Sequence, residues 1–240
     1  TAGVLYSRLM RAICSHCRFP TMICICAVAA DCAIQYGSPS VPPIDFMLVL
    51  HPHENRRTVG TARILKYCLA RSLRSIISDG ADLDSRIGSF QKPPILLFPG
   101  GEPITDNIAP RSDIVILDGT WTEAKAMFRE SPWLKSLPRY SFKSEKPSRY
   151  KIRRQPAQHC LSSLESVVEV LKLDPASEPL RKTLLAIFDY RIAQQIAFCD
   201  SNNAVTASPA PALAHCRLRA VRSDSRRRPY PSQAAGLQPA

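Results

Sequence analysis

Short apolar runs punctuate the chain and predict its strands. Three of them, Phe46–Leu50, Pro94–Phe98 and Ile114–Leu117, are continuous in apolar residues and too short for a typical helix. A continuous run of this kind is typical of a strand that is buried on both faces, as in a parallel sheet, because a sheet with one wet face would show strict alternation. The sequence therefore predicts at least three central strands.

Segments with apolar residues at helical spacing lie between and after these runs. The predicted helices span about 62–77, 120–130, 162–173 and 180–198. Thr120 with Glu123, and Ser162 with Glu165, have the spacing of a capping box, which marks a helix start. Residues 31–44 and 78–92 are predicted to be connections. Strands that alternate with helices favour an α/β fold with a mostly parallel sheet.

One strand end carries a candidate functional group. Asp118 directly follows the run Ile114–Leu117, and Gly119 then provides a turn before the helix that starts at Thr120. In open α/β sheets, ligands bind at the carboxyl ends of the strands, so this carboxylate is placed where a ligand site is expected. The simpler interpretation is an ordinary turn in which Asp118 only caps the helix, and this stretch alone favours that interpretation.

Four cysteines lie close together near the N-terminus. Cys14, Cys17, Cys24 and Cys26 have C-x2-C and C-x-C spacing with six residues between the two pairs. Four thiolates suit tetrahedral Zn²⁺, and His16 could replace one of them. The alternatives are free, buried cysteines or an iron–sulfur cluster, although the spacing matches neither common ferredoxin pattern. The chain has nine cysteines, an odd number, which favours a metal site in a reducing compartment over a disulfide framework.

Two histidines and a carboxylate follow the first strand. His51, His53 and Glu54 invite a metal interpretation, but Pro52 excludes the helical H-E-x-x-H arrangement of zinc proteases. For each histidine, a loop residue hydrogen-bonded to the backbone is the favoured interpretation.

The positive charge is concentrated in two segments. The formal net charge is +12, and residues 143–154 and 201–240 each carry +5 of it. A basic segment with an aromatic residue, here Tyr150, has the composition expected of contact with single-stranded RNA, although a solvated surface is the default for any run of charge. Residues 201–240 lack apolar periodicity and are predicted to be disordered.

The sequence says little about location or further partners. No run of about 18 uncharged apolar residues is present, so no membrane span is expected. The chain begins with Thr1 rather than Met, so we expect the natural N-terminus to be missing, and with it any targeting signal. Localisation stays open, with the cytoplasm or the nucleus expected, and no obligate protein partner is evident.

An ordered set of motifs resembles the DTW-domain family. In chain order the motifs are the cysteine cluster, His51-Pro-x-Glu54, Gly60-Thr-Ala-x-Ile-Leu65, Leu96-Leu-Phe-Pro-Gly100, Leu117-Asp-Gly-Thr-Trp121, Ser131-Pro-Trp-Leu134, Leu137-Pro-Arg139, Tyr150-x-Ile-Arg153 and Leu161-Ser-Ser-Leu-Glu165. Each motif is weak alone, but the ordered set is specific. Ser163 stands where the family usually has Thr, and the chain after Cys199 matches nothing in the family.

The resemblance implies a tRNA-uridine aminocarboxypropyltransferase, related to the knotted SPOUT-type methyltransferases. Such an enzyme transfers the 3-amino-3-carboxypropyl group of S-adenosylmethionine to N3 of a uridine in tRNA. The resemblance implies a Cys-rich zinc-binding segment and connector over residues 1–44 and a catalytic domain over 45–199, while the composition predicts a disordered basic tail over 200–240. Two alternatives are an S-adenosylmethionine-dependent RNA methyltransferase and a non-catalytic RNA-binding module that contains zinc.

The resemblance also implies site residues. Asp118 is the candidate catalytic base, or else the partner of the donor's ammonium group. The residues expected to bind the donor lie in three loops: Phe98, Pro99 and Gly100; Leu117, Asp118, Thr120 and Trp121; and Leu161, Ser162 and Ser163. The residues expected to contact tRNA are His51, Lys143, Lys146, Arg149, Tyr150, Lys151, Arg153 and Arg154. The four cysteines would bind Zn²⁺.

Overall fold

The structure is a computed structural model that describes residues 12–37, 42–56, 60–142, 144, 147–152 and 160–205, without the side chains of 56 and 198–205. Its centre is a sheet of five parallel strands in the order β2-β1-β4-β3-β5. The strands are β1 (Asp45–Leu50), β2 (Leu73–Ile77), β3 (Pro94–Pro103), β4 (Asp113–Asp118) and β5 (Arg139–Ser141). The prediction of an α/β fold with a parallel sheet is therefore confirmed.

Both faces of the central strands are covered, as their continuous apolar runs predicted. In β1, Phe46 and Leu48 belong to one hydrophobic core cluster, whereas Met47 and Val49 belong to a second one. Successive side chains of a strand point to opposite faces, so the two clusters lie on opposite sides of the sheet. Leu48 and Val49 are both fully buried.

The helices differ from the prediction in number and extent. They are α1 (Cys26–Tyr36), α2 (Pro52–Arg56), α3 (Ala62–Cys68), α4 (Trp121–Glu130), α5 (Pro132–Ser136), α6 (Ser163–Leu171) and α7 (Glu178–Val205). Helix α1 begins inside the cysteine cluster and includes residues 31–36, which were predicted to be part of a connection. Helix α2 begins at Pro52, which suits the first helical position because proline has no N–H to leave unbonded there.

The helix predicted over 62–77 is wrong in its second half. Helix α3 ends at Cys68, and Leu73–Ile77 form β2, which pairs in parallel with β1 from Phe46↔Leu73 to Leu50↔Ile77. Ile76 and Ile77 are β-branched and suit a strand. The strand is stabilised by its pairing with β1, and this non-local contact is invisible in a local pattern.

The third strand continues beyond its predicted end. Strand β3 reaches Pro103, with a shift in its register against β5 between Leu97 and Glu102. Residues 98–101 therefore form an irregular, bulged stretch, a feature that re-aims side chains at the rim of a sheet. A Cβ at Gly101 would lie 2.3 Å from the backbone oxygen of Arg139, so this glycine is required by the close approach of β5.

Both predicted capping boxes are present. Thr120 and Ser162 each accept a hydrogen bond from the backbone N–H of the glutamate three residues later, and each glutamate accepts one from the backbone N–H of its capping residue. Ser131 ends α4 and caps α5, which agrees with the helix stop predicted at Ser131-Pro132.

The two ends of the chain meet the predictions only in part. The N-terminal segment packs on the last helix, with the guanidinium of Arg191 4.9 Å from the ring centre of Phe19. The boundary expected at residue 200 falls inside α7, which reaches Val205. Residues 206–240, predicted to be disordered, lie outside the described residues. In the part of the chain that the structure describes, no helix is both long and apolar enough to cross a bilayer.

Candidate functional site

The three loops predicted to bind the donor meet at the carboxyl edge of the sheet. The ring of Phe98, in the bulge of β3, lies 6.4 Å between centroids from that of Trp121, the first residue of α4. It also stacks on the ring of Phe128, which lies further along α4, with 5.1 Å between the two ring centroids. These ring contacts hold the first loop against the second.

A short hydrogen bond holds the second loop against the third. The hydroxyl of Ser163 donates to Oδ1 of Asp118 at 2.5 Å. Asp118 is the last residue of β4, and its side chain is 3% exposed. Ser163 is the first residue of α6, so this bond joins the end of a central strand to the start of a helix. A bond to a buried, charged acceptor is among the stronger hydrogen bonds in proteins.

The other predicted donor-binding residues line the same edge at different depths. Pro99 and Gly100 are exposed, whereas Leu117, Thr120 and Leu161 are half-buried and Ser162 is buried. Gly100 has a φ of +82°, a conformation that favours glycine, and a Cβ there would meet nothing within 4 Å. Thus open space adjoins this backbone, as a loop that approaches a ligand requires.

Two small cavities lie outside the three loops. Neither of them is lined by any residue of those loops. One of these cavities is lined by residues that include Leu50, Glu54 and Lys66. Leu50 is the register partner of Asp118, so this cavity adjoins the neighbouring strand end.

Lys66 is a charged neighbour of Asp118 that the sequence pattern did not single out. Burial lowers the pKa of the Lys66 ammonium, while the negative charge of Asp118 acts in the opposite direction. It lies on the short helix α3, directly after the motif Gly60–Leu65, and only the structure places its charge near Asp118. The buried carboxylate of Asp118 therefore has a hydroxyl donor in Ser163 and a cation nearby.

The two histidines find their carboxylate on another element. Oε1 of Glu123 lies 3.4 Å from Nδ1 of His51 and 3.1 Å from Nδ1 of His53. The sequence associated these histidines with Glu54, which is instead buried, at 3% exposure, beside the cavity described above. The backbone N–H of His51 donates to the carbonyl oxygen of Asp118 at 2.9 Å, which fixes the start of this loop.

Glu165 connects the third loop to the basic segment. Its Oε1 accepts from the backbone N–H of Arg149 at 2.6 Å. Its Oε2 accepts from the hydroxyl of Ser148 and from the backbone N–H of Ser162, each at 2.8 Å. Because Glu165 is 5% exposed, this buried carboxylate fixes where residues 148–150 lie relative to the donor loops.

The basic segment keeps only part of its predicted RNA-contacting role. Tyr150 is 3% exposed and packs against Phe188 at 5.3 Å, so its ring is in the core and cannot stack on a base. The stacking role predicted for Tyr150 is therefore wrong. Lys151 is exposed, and exposed Arg149 forms an ion pair with Asp189 at 2.7 Å. The other predicted cations, Lys143, Lys146, Arg153 and Arg154, lie outside the described residues.

The four cysteines of the N-terminal segment form one compact cluster. The Sγ atoms of Cys14 and Cys26 are 3.7 Å apart, and those of Cys17 and Cys24 are 3.6 Å apart. All four Sγ atoms lie within 4.8 Å of one another. Hydrogen bonds from the backbone of Cys17 and His16 lower the pKa of the Cys14 thiol to about 6.

Comparisons with known proteins match most of this chain. The family model described as the DTW domain matches residues 11–196. A Drosophila melanogaster protein named tRNA-uridine aminocarboxypropyltransferase 2 is 29% identical over 185 residues, which is 72% of this chain and 70% of that protein. Proteins of the same name from Macaca fascicularis and Mus musculus are each 26% identical over 186 residues, which is 73% of this chain.

The chain is shorter than these relatives. It spans 60% of the length of the macaque and mouse proteins. No solved structure matches it. Since the family model covers residues 11–196, which is most of the chain and includes the cysteine cluster and all three loops, this chain belongs to the DTW-domain family.

Proposed function

We propose that this chain transfers the 3-amino-3-carboxypropyl group of S-adenosylmethionine to N3 of a uridine in tRNA. The observation that carries the proposal is its membership of the DTW-domain family, together with the name tRNA-uridine aminocarboxypropyltransferase 2 that three relatives bear. The convergence of the Phe98, Trp121 and Ser163 loops at one edge of the sheet supports it, because that edge is where open parallel sheets bind ligands.

The chemistry asks little of the protein beyond positioning. A bond forms between N3 and the donor carbon next to sulfur, the carbon–sulfur bond breaks, and methylthioadenosine leaves. The sulfonium is a good leaving group that needs no acid, while N3 must lose its proton to a base. Most of the rate acceleration would then come from holding N3 in line with the donor carbon.

The three loops are our candidate for the donor site. Exposed Pro99 and Gly100, with open space beside the Gly100 backbone, would approach the donor from one side. Half-buried Trp121 and Leu161 would contribute apolar surface from the other two loops. Because the loops are in mutual contact, donor binding would require them to separate or would use their outer surface.

Asp118 is proposed to act on the donor rather than on the uracil. A general base must come within hydrogen-bond reach of the proton that it removes, and this carboxylate is 3% exposed with Ser163 bonded to Oδ1. A buried negative charge suits the ammonium group of the donor, the second role considered for this residue. Asp118→Asn would then raise KM for S-adenosylmethionine and leave the shape of the pH–rate profile unchanged. Loss of the acidic limb of that profile, in which protonation of the base lowers the rate, would instead identify Asp118 as the base.

The tRNA is proposed to bind along the basic segment. Exposed Lys151 and Arg149, together with Lys143, Lys146, Arg153 and Arg154 of the same segment, would contact backbone phosphates, and His51 would lie near the reacting nucleotide. Replacing both Arg153 and Arg154 with Ala should weaken tRNA binding and reduce its salt dependence, because fewer counterions are released. An unchanged salt slope would exclude these two residues from phosphate contact.

The four cysteines are proposed to bind Zn²⁺. At a zinc–sulfur distance of about 2.3 Å, the edge of a tetrahedron of thiolates is about 3.8 Å, close to the observed 3.6 and 3.7 Å. Cys14, Cys17, Cys24 and Cys26 would hold the metal, whose chemistry there is structural because four protein ligands leave no open position. The metal would hold the start of α1 against the loop of residues 12–25.

A knotted topology of the SPOUT type is proposed from the family resemblance. The parallel sheet with the order β2-β1-β4-β3-β5, in which β1 pairs with β4 and β3 pairs with β5 by crossover connections, supports it. Residues 143–159 follow β5, and the structure describes 144 and 147–152 of them. An experimental structure that covers this segment would test the proposal.

A double-label experiment tests the proposed reaction. The full chain is incubated with unmodified tRNA and S-adenosylmethionine labelled in either the aminocarboxypropyl portion or the methyl group. Label should enter tRNA from the first donor and not from the second. Transfer of methyl label alone would indicate an RNA methyltransferase, and binding of tRNA with no transfer of either label would leave a non-catalytic RNA-binding module that contains zinc.

A further inference from the structure

Three potential metal ligands meet at the carboxyl edge of the sheet, on elements other than the cysteine segment. His51 directly follows β1, His53 lies in α2 and Glu123 lies in the first turn of α4. One ligand atom from each residue lies within 4.8 Å of the ligand atoms of the other two. Nitrogen and carboxylate oxygen donors in this combination are typical of zinc and of similar divalent transition metals.

The distances in this cluster fit a tetrahedral ion. For metal–ligand bonds of about 2.0–2.1 Å, two ligands of a tetrahedral ion are about 3.3–3.4 Å apart. Oε1 of Glu123 is 3.4 Å from Nδ1 of His51 and 3.1 Å from Nδ1 of His53. The same ligand atoms would thus surround one ion without a large rearrangement.

Hydrogen bonding between side chains accounts for one of the two histidine contacts. Nδ1 of His53 is within hydrogen-bond distance of Oε1 of Glu123, at 3.1 Å. Nδ1 of His51 lies 3.4 Å from the same oxygen and 3.3 Å from the backbone nitrogen of His53. A cation bound by all three side chains would draw both imidazoles to this one carboxylate oxygen.

The carboxylate is positioned by a second contact, as ligands of metal sites usually are. Oε2 of Glu123 accepts from the backbone N–H of Thr120 at 2.7 Å, which leaves Oε1 directed at the two imidazoles.

One side of the cluster is open to solvent. The side chain of His51 is 13% exposed, whereas that of His53 is 67% exposed. Three protein ligands with an open fourth position are the pattern of zinc sites that bind water or a substrate. The N-terminal cluster has four protein ligands, whereas among the described residues no fourth ligand joins His51, His53 and Glu123.

We propose that His51, His53 and Glu123 bind a divalent cation of the zinc class, with water as the fourth ligand in the free protein. This proposal does not depend on the aminocarboxypropyl transfer proposed above. The ion would lie at the same strand-end edge as Asp118 and Trp121. It would add positive charge there and offer its fourth position to an oxygen of a bound nucleic acid.

Metal titration of the full chain tests this site. The protein is first given one equivalent of Zn²⁺ per chain, which the four thiolates take up, and further Zn²⁺ or Co²⁺ is then added in a calorimeter. Wild-type protein should bind one additional equivalent. His53→Ala, which alters an exposed side chain, and Glu123→Gln, which retains the capping-box spacing, should each weaken this binding by about tenfold or more. Glu130→Gln, an exposed change on the same helix, should not.

Spectroscopy separates this site from the cysteines. Co²⁺ in the additional site should show d–d absorption without the thiolate-to-metal bands that a cysteine site produces. Two results would overturn the proposal. One is the absence of an additional equivalent in wild-type protein, and the other is equal binding by wild type, His53→Ala and Glu123→Gln, which would identify the uptake as adventitious.

Discussion

The bond between Ser163 and Asp118 provides a sharp test of how the site is built. Ser163→Ala removes the hydroxyl that donates to Oδ1 of Asp118 at 2.5 Å. Asp118 is 3% exposed, so water cannot readily replace the lost donor. A hydrogen bond to a charged group contributes about 1.5–3 kcal/mol. We therefore expect the free energy of unfolding to fall by about 2 kcal/mol, which for a chain of this size lowers Tm by about 4–8 °C.

The control for this change is Ser163→Thr. Threonine keeps a hydroxyl on Cβ, and it is the residue that the DTW-domain family usually has at this position, so it should preserve stability to within about 0.5 kcal/mol. Urea denaturation followed by circular dichroism would measure the free energy of unfolding of wild type, Ser163→Ala and Ser163→Thr.

A double-mutant cycle isolates the contact itself. Ser163→Ala is combined with Asp118→Asn, and the stabilities of the two single variants and the double variant are compared. Residues in direct contact show coupling energies of about 0.5–3 kcal/mol. A Ser163→Ala variant within about 0.5 kcal/mol of wild type, or a coupling energy near zero, would refute the view that this bond holds the second and third loops together.

Three further predictions concern stability elsewhere in the fold. Gly80→Ala should destabilise strongly, because φ is +107° and the new Cβ would lie 2.7 Å from the backbone oxygen of Met127; a melting curve like that of wild type would contradict this. The hydroxyl of Ser78 and the guanidinium of Arg86 lower the pKa of Asp82, so this contact stabilises the fold above the ordinary carboxyl pKa and is lost as pH falls below it. Asp82→Asn should thus flatten the acid limb of the stability profile measured by urea titration. Cys17→Ser should reduce the zinc content measured by atomic absorption by one per chain and lower Tm, and unchanged zinc content would exclude the cysteine site.

Features of the fold that depend on residues close in sequence were predictable. The capping boxes at Thr120 and Ser162 follow from a bond between residues three apart, so the spacing alone was sufficient. The strand runs of β1 and β4 were predictable because burial on both faces requires a continuous apolar segment. The compact cluster of four cysteines follows in the same way from their short spacing.

Features that depend on distant contacts were not predictable. Strand β2 was mistaken for the end of a helix because its stabilising partner, β1, is more than twenty residues away. Tyr150 was expected on the surface because its neighbours are charged, yet its ring packs against Phe188. The surrounding charges do not reveal which way one side chain points, and only the packing of α7 against this segment does.

The sequence by itself determined which chemical groups this protein offers at its strand ends and in its cysteine segment, since those follow from local spacing and motif order. The tertiary structure decided which of these groups meet. It paired Asp118 with Ser163 across 45 residues and His53 with Glu123 across 70. The physical reason is that a parallel sheet brings the carboxyl ends of separate strands to one edge, and the contacts made there have no signature in any single stretch of the chain.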